Sequence, residues 1–185
     1  MNSNTELSKG KLLISAPFLN DVFKRSVILL TEHNEEGSVG FIINKPTDYK
    51  LHEIIEDFPE FEAKIFLGGP VQQNSLNFIH KTNDILEGSH EISDGLYWGG
   101  NFEILKILIE NQTLDPDDFK FFLGYAGWSP DQLENELKIN SWYLNHSTIK
   151  NIFEDESAKL WGNILKTMGK EYSIISTFPE DPSVN

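Results

Sequence analysis

Apolar residues along this chain fall mostly into short runs bounded by glycine or proline, the pattern of strands joined by tight turns. Residues 11–16 read as a first strand stopped at Pro17, and 17–26 as a loop or short helical turn. The continuous run Val27–Leu30 is short enough for a buried strand. The turn Asn34–Gly37 should return the chain through Val39–Asn44 as a hairpin that Pro46 ends. Ile65–Leu67 runs into a tight turn at Gly68, Gly69 and Pro70. Leu76–His80 alternates like a half-exposed strand, 81–95 reads as a polar loop, and Leu96–Trp98 and Ser141–Leu144 are further short strands. Helical spacing is found at Leu51, Ile54, Ile55 and Phe58. It recurs after Asn101 (Ile104, Leu105, Leu108, Ile109), and again after Asp155 as a possible cap (Trp161, Ile164, Leu165, Met168), with a stop at Gly169.

The longest organised stretch is 119–137. It predicts a buried strand, then a glycine-punctuated turn carrying Tyr125 and Trp128, then a helix. Ser129 is placed as N-cap, Pro130 at the first helical position and Gln132 as partner in a capping box. Leu133 and Leu137 give the helix an apolar face, with Glu134 and Glu136 turned outward. Strands in adjacent groups, without regular βαβ alternation, predict a mixed α+β fold in one domain spanning 1–185, with irregular tails at 1–10 and 178–185.

Charge sharpens this picture. The chain carries 15 basic and 29 acidic residues, a formal net charge of −14, with Arg25 as its one arginine. Residues 1–50 are balanced at six of each sign, so the remainder carries the whole excess. Such a surface repels polyanions, and direct nucleic-acid binding is disfavoured. The absence of cysteine excludes disulfides and thiolate chemistry. No apolar run reaches the ~20 residues of a membrane span, and the start lacks a signal-peptide pattern, so a cytoplasmic protein away from membranes is expected.

Motifs for catalysis are missing. The five histidines form no i, i+4 pair and no HExxH, there is no GxSxG elbow, and Gly68-Gly69-Pro70 lacks the Lys-Ser/Thr of a phosphate loop. No metal, cofactor or catalytic residue is therefore assigned. Asp21, Arg25, Ser26 and His33 lie near one another in sequence and could line one groove, with an ion pair of Arg25 to Asp21 or another carboxylate pinning the loop as the plainer reading. The candidate binding surface comprises Asp21, Arg25, His33, Asn44, Gly68, Gly69, Tyr125 and Trp128.

Together the segments Gly10–Pro17, Phe23–Val27, Glu32-His33, Gly40–Pro46, Gly68–Val71, Gly124–Trp128 and Gln132–Glu134 resemble the YqgE/AlgH family over nearly the whole chain. Departures are small. The family often has Asp-Pro where Asp21-Val22 stands, and arginine in place of Lys45. The resemblance implies a bacterial α+β domain whose mixed or antiparallel sheet curls into a pseudo-barrel with helices outside. Members are named as candidate transcriptional regulators, with no established catalytic residue. The expectation is a non-enzymatic regulatory or binding protein acting through a protein partner or small ligand. The alternative is an enzyme, for instance a hydrolase, with Arg25, His33 and Asn44 around a groove.

Overall fold

A computed structural model describes residues 6–82, 86–154 and 156–180. The first half of the chain runs β1 (Lys11–Ser15), β2 (Val27–Asn34), β3 (Gly37–Ile42), α1 (Leu51–Ile54), β4 (Lys64–Leu67), β5 (Val71–His80), β6 (His90–Ser93) and β7 (Leu96–Trp98). The second half runs α2 (Phe102–Glu110), β8 (Phe119–Trp128), α3 (Gln132–Lys138), β9 (Trp142–His146), α4 (Ser157–Thr167) and α5 (Lys170–Ile175). The strands form one sheet in the order β6-β7-β5-β8-β3-β2-β1-β9, antiparallel except where β4 pairs with β8 in parallel. The α+β class holds, but the sheet is open, with β6 and β9 at its edges, and does not close into a barrel.

Alternation explains why the apolar runs are continuous: both faces of the sheet are covered. Leu12, Ile14, Val27 and Leu29 face one side, where Leu160, Trp161, Ile164 and Leu165 of α4 complete the core. Leu13, Ile28, Leu30 and Ile42 face the other, with Leu133 of α3, Trp128 and Trp142. A third cluster lies under α2, built from Phe78, Leu105, Ile109, Phe119 and Phe121. The β2–β3 hairpin forms as expected, pairing Asn34 with Gly37. The Asn34 side chain accepts from the Glu36 amide at 2.8 Å.

β8 is the hub of the sheet, and the largest correction concerns it. The sequence suggests a turn at Gly124–Trp128, whereas the strand continues unbroken to Trp128. One of its edges pairs with β4 at Lys120–Leu123 and then with β3 at Ala126–Trp128. Gly124, at φ +69°, sits where one neighbour replaces the other. Gly68 bridges this handover, donating to Leu123 O and accepting from the Ile42 amide, both at 2.8 Å. A Cβ on Gly68 would lie 2.3 Å from Gly124 O, and one on Gly69 would lie 2.2 Å from the Tyr125 carbonyl. These glycines are required by close approach of backbones, not by a solvent turn.

Other boundaries also move. β5 begins at Val71 and absorbs the expected turn, with a register shift between Val71 and Leu76. Its end is buried, and His80 is fully enclosed. β6 occupies part of the stretch read as a loop, α1 stops at Ile54, and α5 follows Gly169. Regular α3 begins at Gln132, not Pro130, because Asp131 adopts a left-handed φ of 62°. Half of the capping box survives, the Ser129 amide donating to Gln132 Oε1 at 3.0 Å. Asp155 lies outside the described residues.

The crossing sets a stability prediction. Gly68→Ala should lower unfolding free energy in urea by about 3 kcal/mol or abolish folding, because the contact is backbone and cannot rotate away. Gly162→Ala, mid-helix in α4 with nothing within 4 Å of the added carbon, should instead add about 1 kcal/mol.

Candidate functional site

The corner between β1 and β2 gathers three of the expected residues. Asp21 Oδ1 accepts from the Phe23 amide at 2.9 Å and shapes the loop. Asn44, just beyond β3, clamps the strand start: its Oδ1 accepts from the Val27 amide (2.8 Å) and its Nδ2 donates to Arg25 O (2.9 Å). Held this way, Arg25 takes a left-handed φ of 49°, a cost for a long side chain that surrounding contacts must offset. Its guanidinium lies 4.9 Å from the Trp161 ring centroid and donates to Phe178 O. The expected Asp21–Arg25 pair is not made. Arg25 has no ion pair among the described residues, and stacking on α4 takes its place.

Between this corner and α4 opens a cleft of about 660 Å3. It is lined by Lys24, Arg25, Lys45, Lys159 and Lys166, with Asn44, Asn163 and Glu180. Among the described residues the lining sets five cations, of which Lys159 is also paired with Glu156 at 2.8 Å, against one acid, a reversal of the chain's overall balance. Burial holds the Lys45 pKa below the usual lysine value, with Asp21 pulling it up and Lys24 pushing it down. The Lys45 ammonium donates to Val22 O. Trp161 forms a rigid wall, its indole N–H tied to Ser15 O at 2.9 Å.

His33, Tyr125 and Trp128 lie elsewhere. His33 is near the far end of β2, about 20 Å along the strand from Val27, where Asn44 clamps the strand start. Its Nδ1 is 2.8 Å from Ser38 Oγ and its Nε2 is 3.7 Å from Glu134 Oε1. Tyr125 and Trp128 border a separate cleft with Glu32 and Glu36, about 440 Å3 in volume. Trp128 is a core residue, 6% exposed, and stacks with Phe23 while meeting Trp142 edge-on. Arg25, His33 and Asn44 therefore do not surround one groove. Gly68 and Gly69 belong to the backbone crossing and present no cradle.

Three residues carry weight that the sequence reading missed. Glu136, expected to face outward, turns in: its Oε2 accepts from both Trp128 Nε1 (3.0 Å) and Trp142 Nε1 (2.7 Å). Its spacing three residues after Leu133 placed it on the buried face all along. Lys120 on β8 is 5% exposed, with Nζ 3.4 Å from Ile43 O and 4.2 Å from the Phe66 ring centroid. Burial, and secondarily Lys64, lower its pKa to about 7. His80 is held by Gly99 O and Thr82 Oγ1 at 3.0 and 2.8 Å, and burial lowers its pKa. Among the described residues no three His, Asp or Glu side chains gather as metal ligands, and no helix is long and apolar enough to cross a membrane.

Two outcomes follow. Glu136→Ala leaves two indole donors without an acceptor and should cost about 3 kcal/mol in urea unfolding read by tryptophan fluorescence, with Glu136→Gln costing less. Lys120→Met should stabilise the fold most below pH 7, where the native protein must bury an ammonium ion. Between about pH 7 and 10.5 the unfolded chain binds a proton that the native one does not. Wild-type stability therefore rises with pH across that window, and the advantage of the methionine variant shrinks in parallel urea titrations.

The comparisons agree with this architecture. The AlgH-like family matches residues 12–173. A UPF0301 protein of Cytophaga hutchinsonii is 46% identical over 181 residues, covering 97% of this chain and 100% of that one. A UPF0301 protein of Chlorobium luteolum is 42% identical over 185 residues, covering 100% and 98%. The solution structure of the AlgH protein from Pseudomonas aeruginosa superposes with a TM-score of 0.74 at 27% identity, covering 97% of each chain. A crystal structure from Corynebacterium diphtheriae, protein DIP2367, shares the fold with a TM-score of 0.74 at 22% identity, over 95% of this chain and 94% of that one. With a match across most of its length and relatives above 40% identity end to end, the chain belongs to the AlgH-like family.

Proposed function

We propose that this protein is a non-enzymatic, ligand-responsive binding protein whose ligand is a small anion, such as a phosphorylated metabolite, held in the cleft between the β1–β2 corner and α4. The observation that supports it is the concentration of Lys24, Arg25, Lys45, Lys159 and Lys166 around one 660 Å3 cleft in a chain of net charge −14. Like charges so gathered repel one another, and a bound anion relieves that repulsion. Trp161 and the Asn44-clamped backbone supply a rigid wall, so little ordering is needed on binding.

A regulatory role, where there is one, runs through that ligand or a protein partner. The acidic remainder of the surface disfavours direct contact with duplex nucleic acid. The hydrolase reading loses its motive, because His33 stands about 20 Å along β2 from Val27, the residue that Asn44 clamps beside Arg25.

Calorimetric titration with inorganic pyrophosphate tests the reading. Binding should be saturable and weaken with added salt. Lys24→Gln and Lys166→Gln should each cost about tenfold in affinity. Glu36→Gln, at the other cleft, should change nothing. Equal binding by wild type and both lysine variants would remove the assignment.

A further inference from the structure

A third pocket, of about 490 Å3, lies between β4, β8 and the start of α4, and the anion-cleft reading leaves it unused. Lys120 lines it together with Thr47, Lys64 and Ser157. Lys64 and Lys120 are register partners in the parallel β4–β8 pair, so their side chains leave the same face of the sheet side by side. The two amines differ sharply in setting. Lys64 is exposed, whereas Lys120 is 5% exposed, rests over the Phe66 ring and has no carboxylate within ion-pair distance among the described residues.

We propose that this pocket is a carbonyl-capture site, in which the Lys120 amine condenses with a small 2-oxo acid whose carboxylate is held by the Lys64 ammonium. A buried lysine beside a second cation is the arrangement that keeps an amine unprotonated and nucleophilic near neutral pH. The pKa of Lys120, near 7 through burial and the Lys64 charge, agrees with it. The charged groups that line the pocket are Lys64 on β4 and, before α4, the exposed Glu154 and Glu156, the latter paired with Lys159 at 2.8 Å. No carboxylate competes for Lys64 by an ion pair among the described residues. The Glu156 side chain accepts no hydrogen bond from the first-turn amides of α4.

The step balances without a further reactant. The Nζ lone pair attacks the carbonyl carbon to give a carbinolamine, the proton passing from nitrogen to oxygen. The C–O bond then breaks, water leaves, and a C=N bond joins Lys120 to the acid. Hydrolysis reverses each step.

The test is incubation of the full chain with pyruvate and sodium cyanoborohydride, read by intact mass and peptide mapping. One adduct per chain should form, at Lys120, with yield rising through a midpoint near pH 7. Lys120→Met should form none while unfolding cooperatively in urea, which shows that it is folded. Lys64→Gln, which leaves the amine in place, should lower the yield with pyruvate severalfold more than with propanal, which has no carboxylate. Lys24→Gln should label like wild type, since the anion cleft is a separate site. Adducts spread over exposed lysines, or an unchanged yield in Lys120→Met, would overturn the proposal.

Discussion

The constraint on which the rest of the structure depends is the contact between two backbones at Gly68-Gly69 and Gly124-Tyr125. β8 must pair with β4 along its first half and with β3 along its second, and these two strands occupy the same edge. The chain leaving β4 therefore passes against β8 at the point of exchange, with no space for a side chain at Gly68, Gly69 or Gly124. Hydrogen bonds from Gly68 to both Leu123 and Ile42 close the seam. With the seam closed, one strand organises all three apolar clusters, contributing Phe122 to one, Phe119 and Phe121 to the second, and Ala126 and Trp128 to the third.

The seam also fixes where the clefts lie. Holding β3 against β8 sets the end of β3, and Asn44 just beyond it locks the start of β2 and the backbone of Arg25. Arg25 then meets Trp161, and α4 comes to rest across the sheet with its indole tied to Ser15. The basic cleft is what remains between a clamped loop and a docked helix. On the opposite face, Glu136 performs a comparable fixing role by joining two tryptophans through one carboxylate oxygen. Neither device resembles catalytic machinery, and both spend polar groups on positioning.

Much of the fold was legible in the sequence because its signals are local. The β2–β3 hairpin follows from alternation and the Asn34–Gly37 turn, and α2 from its stripe and the Asn101 cap, which accepts from the Glu103 and Ile104 amides. The larger misreadings come from contacts distant in sequence. Glycine at 124 and 127 signals a turn locally, yet the strand continues because β4 and β3 cover its edge in succession. Lys120 reads as a polar interruption, whereas Phe66 and Ile43 bury it from 54 and 77 positions away. Of the candidate site, Asp21, Arg25 and Asn44 converge. Tyr125 and Trp128 fall at another cleft, and His33 lies near the far end of β2 beside Ser38 and Glu134, away from the corner where that strand begins. Lys159, Lys166 and Trp161 joined the site only through the docking of α4, which no local pattern encodes.

The central claim is that a cationic cleft in an acidic chain exists to hold a small anion. It is tested most directly by native mass spectrometry of the protein gently isolated from its own cells, beside a Lys24→Gln/Lys166→Gln variant prepared in the same way. The account predicts a population carrying a small acidic molecule, lost on mild heating or high salt and absent from the variant. A neutral ligand, or an acidic one retained in full by the variant, would contradict it.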